Sequence, residues 1–251
     1  PHYGKYSYLS FFGDEPTNDI KGVWSSSESP LRWIKPNLLS VVNFDALPPT
    51  EPIAVLPPKY LHEQLLRHSR KLTDSNMQGR GLGSLGLDLA ALYVADQFRA
   101  AGLVALDGTY IQRWVQSIPG AGLTNMGNVI GMIPGSNRDL SSQPIIIGAH
   151  YDHLGVDPDT GLPFVGADDN ASGISILIEV AAKLARSYSP QRPIIFVAFT
   201  AEESGLLGSE YFINNPPAGL AAEDMFAMIN LDTVGRLEGR TLQIFSTESA
   251  Y

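Results

Sequence analysis

Ile145-Ile146-Ile147-Gly148-Ala149-His150-Tyr151-Asp152-His153 is an apolar run that ends in two imidazoles and a carboxylate. Three successive isoleucines without polar alternation read as a short strand buried on both faces, because a half-buried strand would alternate. Downstream, Ile174, Leu177, Ile178, Ala181 and Leu184 fall along one side of a helix over residues 172–187. A second apolar strand, Ile194 to Phe199, and a second helix, 206–214, follow, and then strands Ala227 to Leu231 and Leu242 to Phe245. Continuous apolar strands alternating with helices require a sheet covered on both faces. The expected fold is α/β: a three-layer α/β/α sandwich with a mixed, mainly parallel central sheet.

Upstream, residues 59–71 read as a helix, 79–84 (Gly-Arg-Gly-Leu-Gly-Ser) as a loop, and 87–101 as an amphipathic helix stopped by Gly102. Residues 109–117 and 125–133 read as two strands joined by a Pro-Gly-rich turn, and therefore as an antiparallel pair. Residues 47–58 hold five prolines in twelve positions, which suits a linker and neither a helix nor a central strand. Residues 1–46 are rich in Ser, Pro and aromatic residues and show no sustained period. Two units follow: 1–58, an N-terminal extension or the tail of an upstream domain with its Pro-rich linker, and 59–251, the main domain.

With 26 acidic against 17 basic residues, the formal charge is -9 and no basic run occurs, which argues against a nucleic-acid surface. Cysteine is absent, so disulfides, thiolate zinc sites and a Cys nucleophile are excluded; any metal must be held by His, Asp or Glu. No apolar run approaches the ~20 residues of a membrane span. The chain starts at Pro1, so the lack of a visible signal peptide carries no information. A cysteine-free chain fits a secreted or periplasmic protein, the location expected here, and also a cytosolic one.

In sheets of this kind ligands bind beyond the carboxyl ends of the strands. There the first strand delivers His150, Asp152 and His153, the second Glu202 and Glu203, and the third Asp232, while Asp168 and Asp169 precede the helix that follows the first strand. Taken singly, each has an ordinary explanation: a surface histidine, a helix cap, a solvated pair, a turn. Together they crowd carboxylates at one edge, where mutual repulsion would raise their pKa values unless a cation sat among them. Ser172 and Ser204 lie close by in sequence, but no histidine is placed to serve either as a base, which disfavours a serine hydrolase.

Gly148-Ala149-His150-Tyr151-Asp152-His153, Gly166-Ala167-Asp168-Asp169-Asn170-Ala171-Ser172-Gly173, Ala198-Phe199-Thr200-Ala201-Glu202-Glu203-Ser204-Gly205 and Asn230-Leu231-Asp232 resemble, in order and spacing, four motifs of the M28 family of zinc aminopeptidases. The loop over 79–86 is similar to one ahead of that family's first catalytic-domain helix. The resemblance covers about Lys59 to Tyr251 and makes that unit a zinc-exopeptidase-type catalytic domain. It implies two zinc ions bridged by Asp169, one also held by His150 and Asp232, the other by Glu203. It further implies Glu202 as the general base activating the attacking water, Asp152 as hydrogen-bond partner of the His150 imidazole, Asp168 and His153 as neighbours without a ligand role, and a cis Asp169–Asn170 peptide.

The family's second zinc takes a further, downstream histidine, whereas the histidines here are His2, His62, His68, His150 and His153. The expectation is therefore a catalytic domain incomplete at its C-terminus, unstable and nearly inactive as a 251-residue piece. The intact protein is expected to remove residues from the free N-terminus of peptide substrates. The alternatives are a carboxypeptidase or glutaminyl-cyclase-like enzyme on the same fold, and a pseudoenzyme or binding module.

Overall fold

The computed structural model describes residues 62–118, 122–217 and 219–236 in full, and the backbones of residues 8–12, 23–25, 32–34, 37–43 and 241–246. The linker read over 47–58 lies outside these residues.

Helix α1 (His62–Leu72) and helix α2 (Leu85–Ala101) precede the antiparallel pair in the chain. Ser84 caps α2: its hydroxyl accepts the Leu87 N–H at 3.1 Å. Gly102, at φ 83°, ends the helix and returns its own N–H to Arg99 O, as the sequence anticipated. The antiparallel pair is β5 (Ile111–Ile118) and β6 (Gly122–Ile133). The β/α alternation then runs through β7 (Ile145–His150), α3 (Gly173–Ser187), β8 (Ile194–Phe199), α4 (Leu207–Asn214) and β9 (Ala227–Leu231).

Strands also arise where the sequence showed no period: numbered in chain order with the others, they are β1 (Tyr8–Phe12), β2 (Val23–Ser25), β3 (Arg32–Ile34) and β4 (Asn37–Asn43). The strand expected over Leu242 to Phe245 is β10 (Thr241–Ser246). The main sheet runs β4-β10-β1-β9-β7-β8-β6-β5, and β2 pairs only with β3. Its centre, β1-β9-β7-β8, is parallel, and both flanks are antiparallel. The sheet is mixed, as expected, and its parallel part is formed by β1, β9, β7 and β8.

The pleat divides the isoleucine-rich strands between two cores. Ile147, Ala149, Phe196 and Ala198 pack toward Leu87, Val94 and Phe98 of α2 and Ile174, Leu177 and Ala181 of α3. Ile146, Ile195, Val197 and Phe199 face the other way, against Phe212 of α4 and Met225. Each large apolar side chain so buried contributes about 1.5–3 kcal/mol, so both layers are needed to cover β7 and β8. Among the described residues, no helix is long and apolar enough to cross a membrane.

Candidate metal centre

Strand register brings the first residues together. β7 and β9 are parallel with Gly148 opposite Asn230. Two residues further on stand His150, the last residue of β7, and Asp232, the first after β9, together at the carboxyl edge. The His150 imidazole is buried, and its Nε2 lies 3.3 Å from Asp232 Oδ1 and 3.1 Å from Asp169 Oδ1.

Asp169 arrives from the turn over Ala167–Ser172, whose Asp169–Asn170 peptide is cis. The neighbours of Asp169 fasten this turn to the end of β9. Buried Asn170 donates from Nδ2 to Leu231 O at 2.9 Å and accepts the Gly173 N–H at 2.9 Å. Asp168 Oδ1 accepts the Gly235 N–H at 2.7 Å. The Ser172 hydroxyl donates to Asp168 O at 2.6 Å and accepts the Val234 N–H at 3.1 Å, which leaves Ser172 a structural post.

Glu202 and Glu203 follow β8. Ala201, buried at the exit, holds a left-handed φ of 53°, a conformation that costs a non-glycine residue about 1–2 kcal/mol. Asp152 offsets it: Oδ1 accepts the Glu202 N–H and Oδ2 the Glu203 N–H, each at 3.1 Å. Asp152 Oδ1 also stands 3.6 Å from His150 Nδ1, an ion-pair separation just beyond hydrogen-bond length. Asp152 thus faces both the His150 imidazole and the backbone of the two glutamates. Asn128 supports the same exit, accepting the Thr200 N–H at 3.2 Å and donating to Gly208 O at 2.8 Å.

A second group forms beside the first. His153 Nδ1 lies 3.0 Å from Glu203 Oε1 and 3.9 Å from Asp169 Oδ2. His150, Asp169 and Asp232, and separately His153, Asp169 and Glu203, each bring three potential ligand atoms within 4.8 Å of one another. Asp169 is common to both, with Oδ1 toward His150 and Oδ2 toward His153. Its side chain is 43% exposed, so this carboxylate sits at the solvent edge. The sequence reading left His153 without a ligand role; the loop over residues 151–155, which forms no regular element, sets its imidazole beside Glu203 and Asp169.

Burial pushes the His150 imidazole down, but Asp152, Asp169 and Asp232 outweigh it and hold its pKa well above the ordinary value. Imidazoles and carboxylates without thiols, arranged around a bridging oxygen pair, suit zinc in both groups.

An α/β/α sandwich with two histidine–carboxylate groups at the carboxyl edge of its parallel strands is a zinc-exopeptidase type of domain. Residues 128–250 match the model of peptidase family M28, and that segment belongs to the family. A probable zinc metalloprotease of Pyrenophora teres f. teres is 36% identical over 112 residues, covering 44% of this chain and 23% of the relative. Leucine aminopeptidase 1 of Coccidioides posadasii is 33% identical over 119 residues, covering 45% and 29%. The chain thus matches about a quarter of the length of these relatives. A zinc-dependent exopeptidase from Parabacteroides distasonis superposes with a TM-score of 0.57 at 21% identity, over 71% of this chain and 63% of that one. A Porphyromonas gingivalis glutaminyl cyclase does so with a TM-score of 0.55 at 23% identity, over 71% and 61%.

Proposed function

We propose that the centre holds two zinc ions and serves a peptidase that cleaves residues from the free N-terminus of peptides, as part of the protein that contains this chain. The observation that carries the reading is Asp169, whose two carboxylate oxygens address two separate groups of ligand atoms. In this reading His150 and Asp232 hold one ion with Asp169, and Glu203 holds the other with Asp169 and the His153 imidazole. Zinc supplies a Lewis acid that polarises the scissile carbonyl and makes water acidic enough to be deprotonated near neutral pH.

The remaining work falls to the chain's own groups. Glu202 takes a proton from the attacking water and returns it to the leaving amine. Asp152 sets the position of Glu202 and Glu203 by gripping both backbone N–H groups. The names of the two relatives, a zinc metalloprotease and a leucine aminopeptidase, support a peptidase over a binding module.

The test combines metal content with product analysis. Purified protein is expected to contain two zinc ions, to cleave a free peptide and spare its N-acetylated form, and to lose turnover in Glu202→Gln while keeping its zinc. Equal cleavage of both peptides would overturn the N-terminal specificity, and absence of bound zinc would overturn the centre. Since glutaminyl cyclases share the fold, a peptide led by glutamine belongs in the assay. Release of free glutamine supports hydrolysis, whereas a cyclised N-terminus with loss of ammonia points to the cyclase reading.

A further inference from the structure

Arg80 is the largest fully buried side chain in the described protein, and its cation has no role in the chemistry above. Burial of an arginine needs compensation, because an unpaired charge in a protein interior is strongly destabilising. Its hydrogen bonds go to main-chain carbonyls. Nε donates to Tyr151 O at 2.8 Å, Nη1 to Leu72 O at 2.6 Å and to Val165 O at 3.1 Å, and Nη2 to Gly166 O at 2.8 Å.

The places of these acceptors matter. Leu72 ends α1, Tyr151 is the first residue after β7, and Val165 and Gly166 come just before the Asp168–Asp169 turn. One rigid fork thus joins both ends of the segment 151–166, and that segment carries His153. The main chain of Arg80 adds a further tie, since its carbonyl accepts the His153 N–H at 3.0 Å.

Backbone contacts hold the middle of the segment. Gly155 N–H donates to Gly79 O at 3.0 Å, and Phe164 N–H to Gly155 O at 2.8 Å. Gly79 sits at φ 59°, and a Cβ there would overlap Gly155 O, so a glycine is required for the approach. The guanidinium also lies close enough to Asp152, Asp169 and Glu203 for their charges to raise its pKa, although desolvation dominates and brings it down to about 10. It is therefore still a cation at neutral pH, placed behind the carboxylates.

We propose that Arg80 is a positioning residue for the second metal group: its guanidinium clamps both ends of segment 151–166 and so sets the separation of His153 from Asp169 and Glu203. The first group depends on it less, because His150 ends β7 and Asp232 directly follows β9, two strands in fixed register. Lysine keeps the charge, but a single ammonium cannot reproduce a planar fork that reaches carbonyls on three sides.

The inference rests on the two-ion reading, and its test separates the two. In Arg80→Lys of the protein that contains this chain, zinc titration is expected to show the tighter ion bound as in wild type and the weaker one at least tenfold weaker. Cobalt substituted for zinc is expected to give an altered visible spectrum for that ion alone. Metal-free hydrogen exchange is expected to quicken at the Gly155, Phe164 and Ala171 amides while the amides of β7 and β8 keep wild-type protection. Unchanged exchange at those three amides, or equal weakening of both ions with a general loss of protection, would overturn the clamp.

If wild-type protein binds a single ion, the two-ion reading fails, and the exchange result still decides whether Arg80 fixes the segment. Should Arg80 variants not fold, Gly155→Ala displaces the same segment from the other side, since its Cβ would stand 3.0 Å from Gly81 Cα at a φ of 83°. Wild-type affinity for both ions together with unchanged exchange in that variant would equally defeat the proposal.

Discussion

Asp152 shows how far a single side chain can be read from its neighbours in sequence. Its position two residues after His150 suggested an imidazole partner, and its Oδ1 stands 3.6 Å from His150 Nδ1; what the order of residues did not show is that its oxygens also accept the N–H groups of Glu202 and Glu203. In Asp152→Asn one of those oxygens becomes an NH₂ group facing a donor. The loss of a buried hydrogen bond of this kind costs about 1–3 kcal/mol of stability. Peptidase turnover is expected to fall roughly 10–100-fold, in line with other groups that orient a metal centre from behind. Chemical denaturation and steady-state kinetics on the same preparation check both, and turnover within twofold of wild type would refute the role.

His68 was not singled out by any motif, yet it is fully buried, with Nδ1 2.6 Å from Tyr93 Oη and Nε2 2.9 Å from Glu179 Oε1. Burial lowers its pKa; contact with Glu179 opposes this, and the nearby Arg67 reinforces it. A histidine with a lowered folded pKa favours the native state above its unfolded value of about 6.5, and that stability is lost as pH falls through the folded value. Urea midpoints measured from pH 7 down to pH 5 should therefore fall more steeply for wild type than for His68→Gln. Parallel slopes would show that His68 does not titrate differently on folding.

Among the elements, the helices and strands that periodicity anticipated after residue 58 fall within a few residues of where it put them, and the departures have local causes. Helix α2 starts at Leu85 rather than at residue 87 because Ser84 caps it and Gly86 is helical despite its poor propensity. Gly86 is there for a close approach: a Cβ would overlap Met77 O in the turn that leads to Arg80. Replacing glycine by alanine inside a helix ordinarily gains about 0.5–1 kcal/mol. At this position the overlap should win, and Gly86→Ala is expected to destabilise by about 1–3 kcal/mol, as overpacked sites do. A thermal or urea midpoint at or above wild type would show that the turn yields freely.

The molecule as a whole assembles its centre from segments far apart in the chain, so bound zinc should report on the entire fold. An ion that binds only the native state stabilises it by about 2.7 kcal/mol at a hundredfold excess over Kd. Zinc addition to chelator-treated protein is expected to raise the melting midpoint by several degrees. Asp169→Asn should lose most of that rise and Glu203→Ala about half. Identical zinc responses in wild type and Asp169→Asn would count against a shared bridging carboxylate.

Much of this was legible in the amino-acid order. Unbroken apolar runs such as Ile145–Ile147 and Ile194–Phe199 read as buried strands, and the carboxylates and imidazoles beyond them as the candidate site, since both readings depend on local pattern. Four motifs in order also point to the M28 family, which the match over 128–250 bears out. Three-dimensional contact settled what local pattern could not carry. The register of β7 against β9 levels His150 with Asp232. Strands β1 and β4 join the sheet through partners more than a hundred and eighty positions away. His153 meets Glu203, and Arg80 gathers carbonyls from Leu72 to Gly166. Hydrogen bonds to main-chain atoms leave no trace in residue type at the acceptor, so such contacts exist only once the chain has folded.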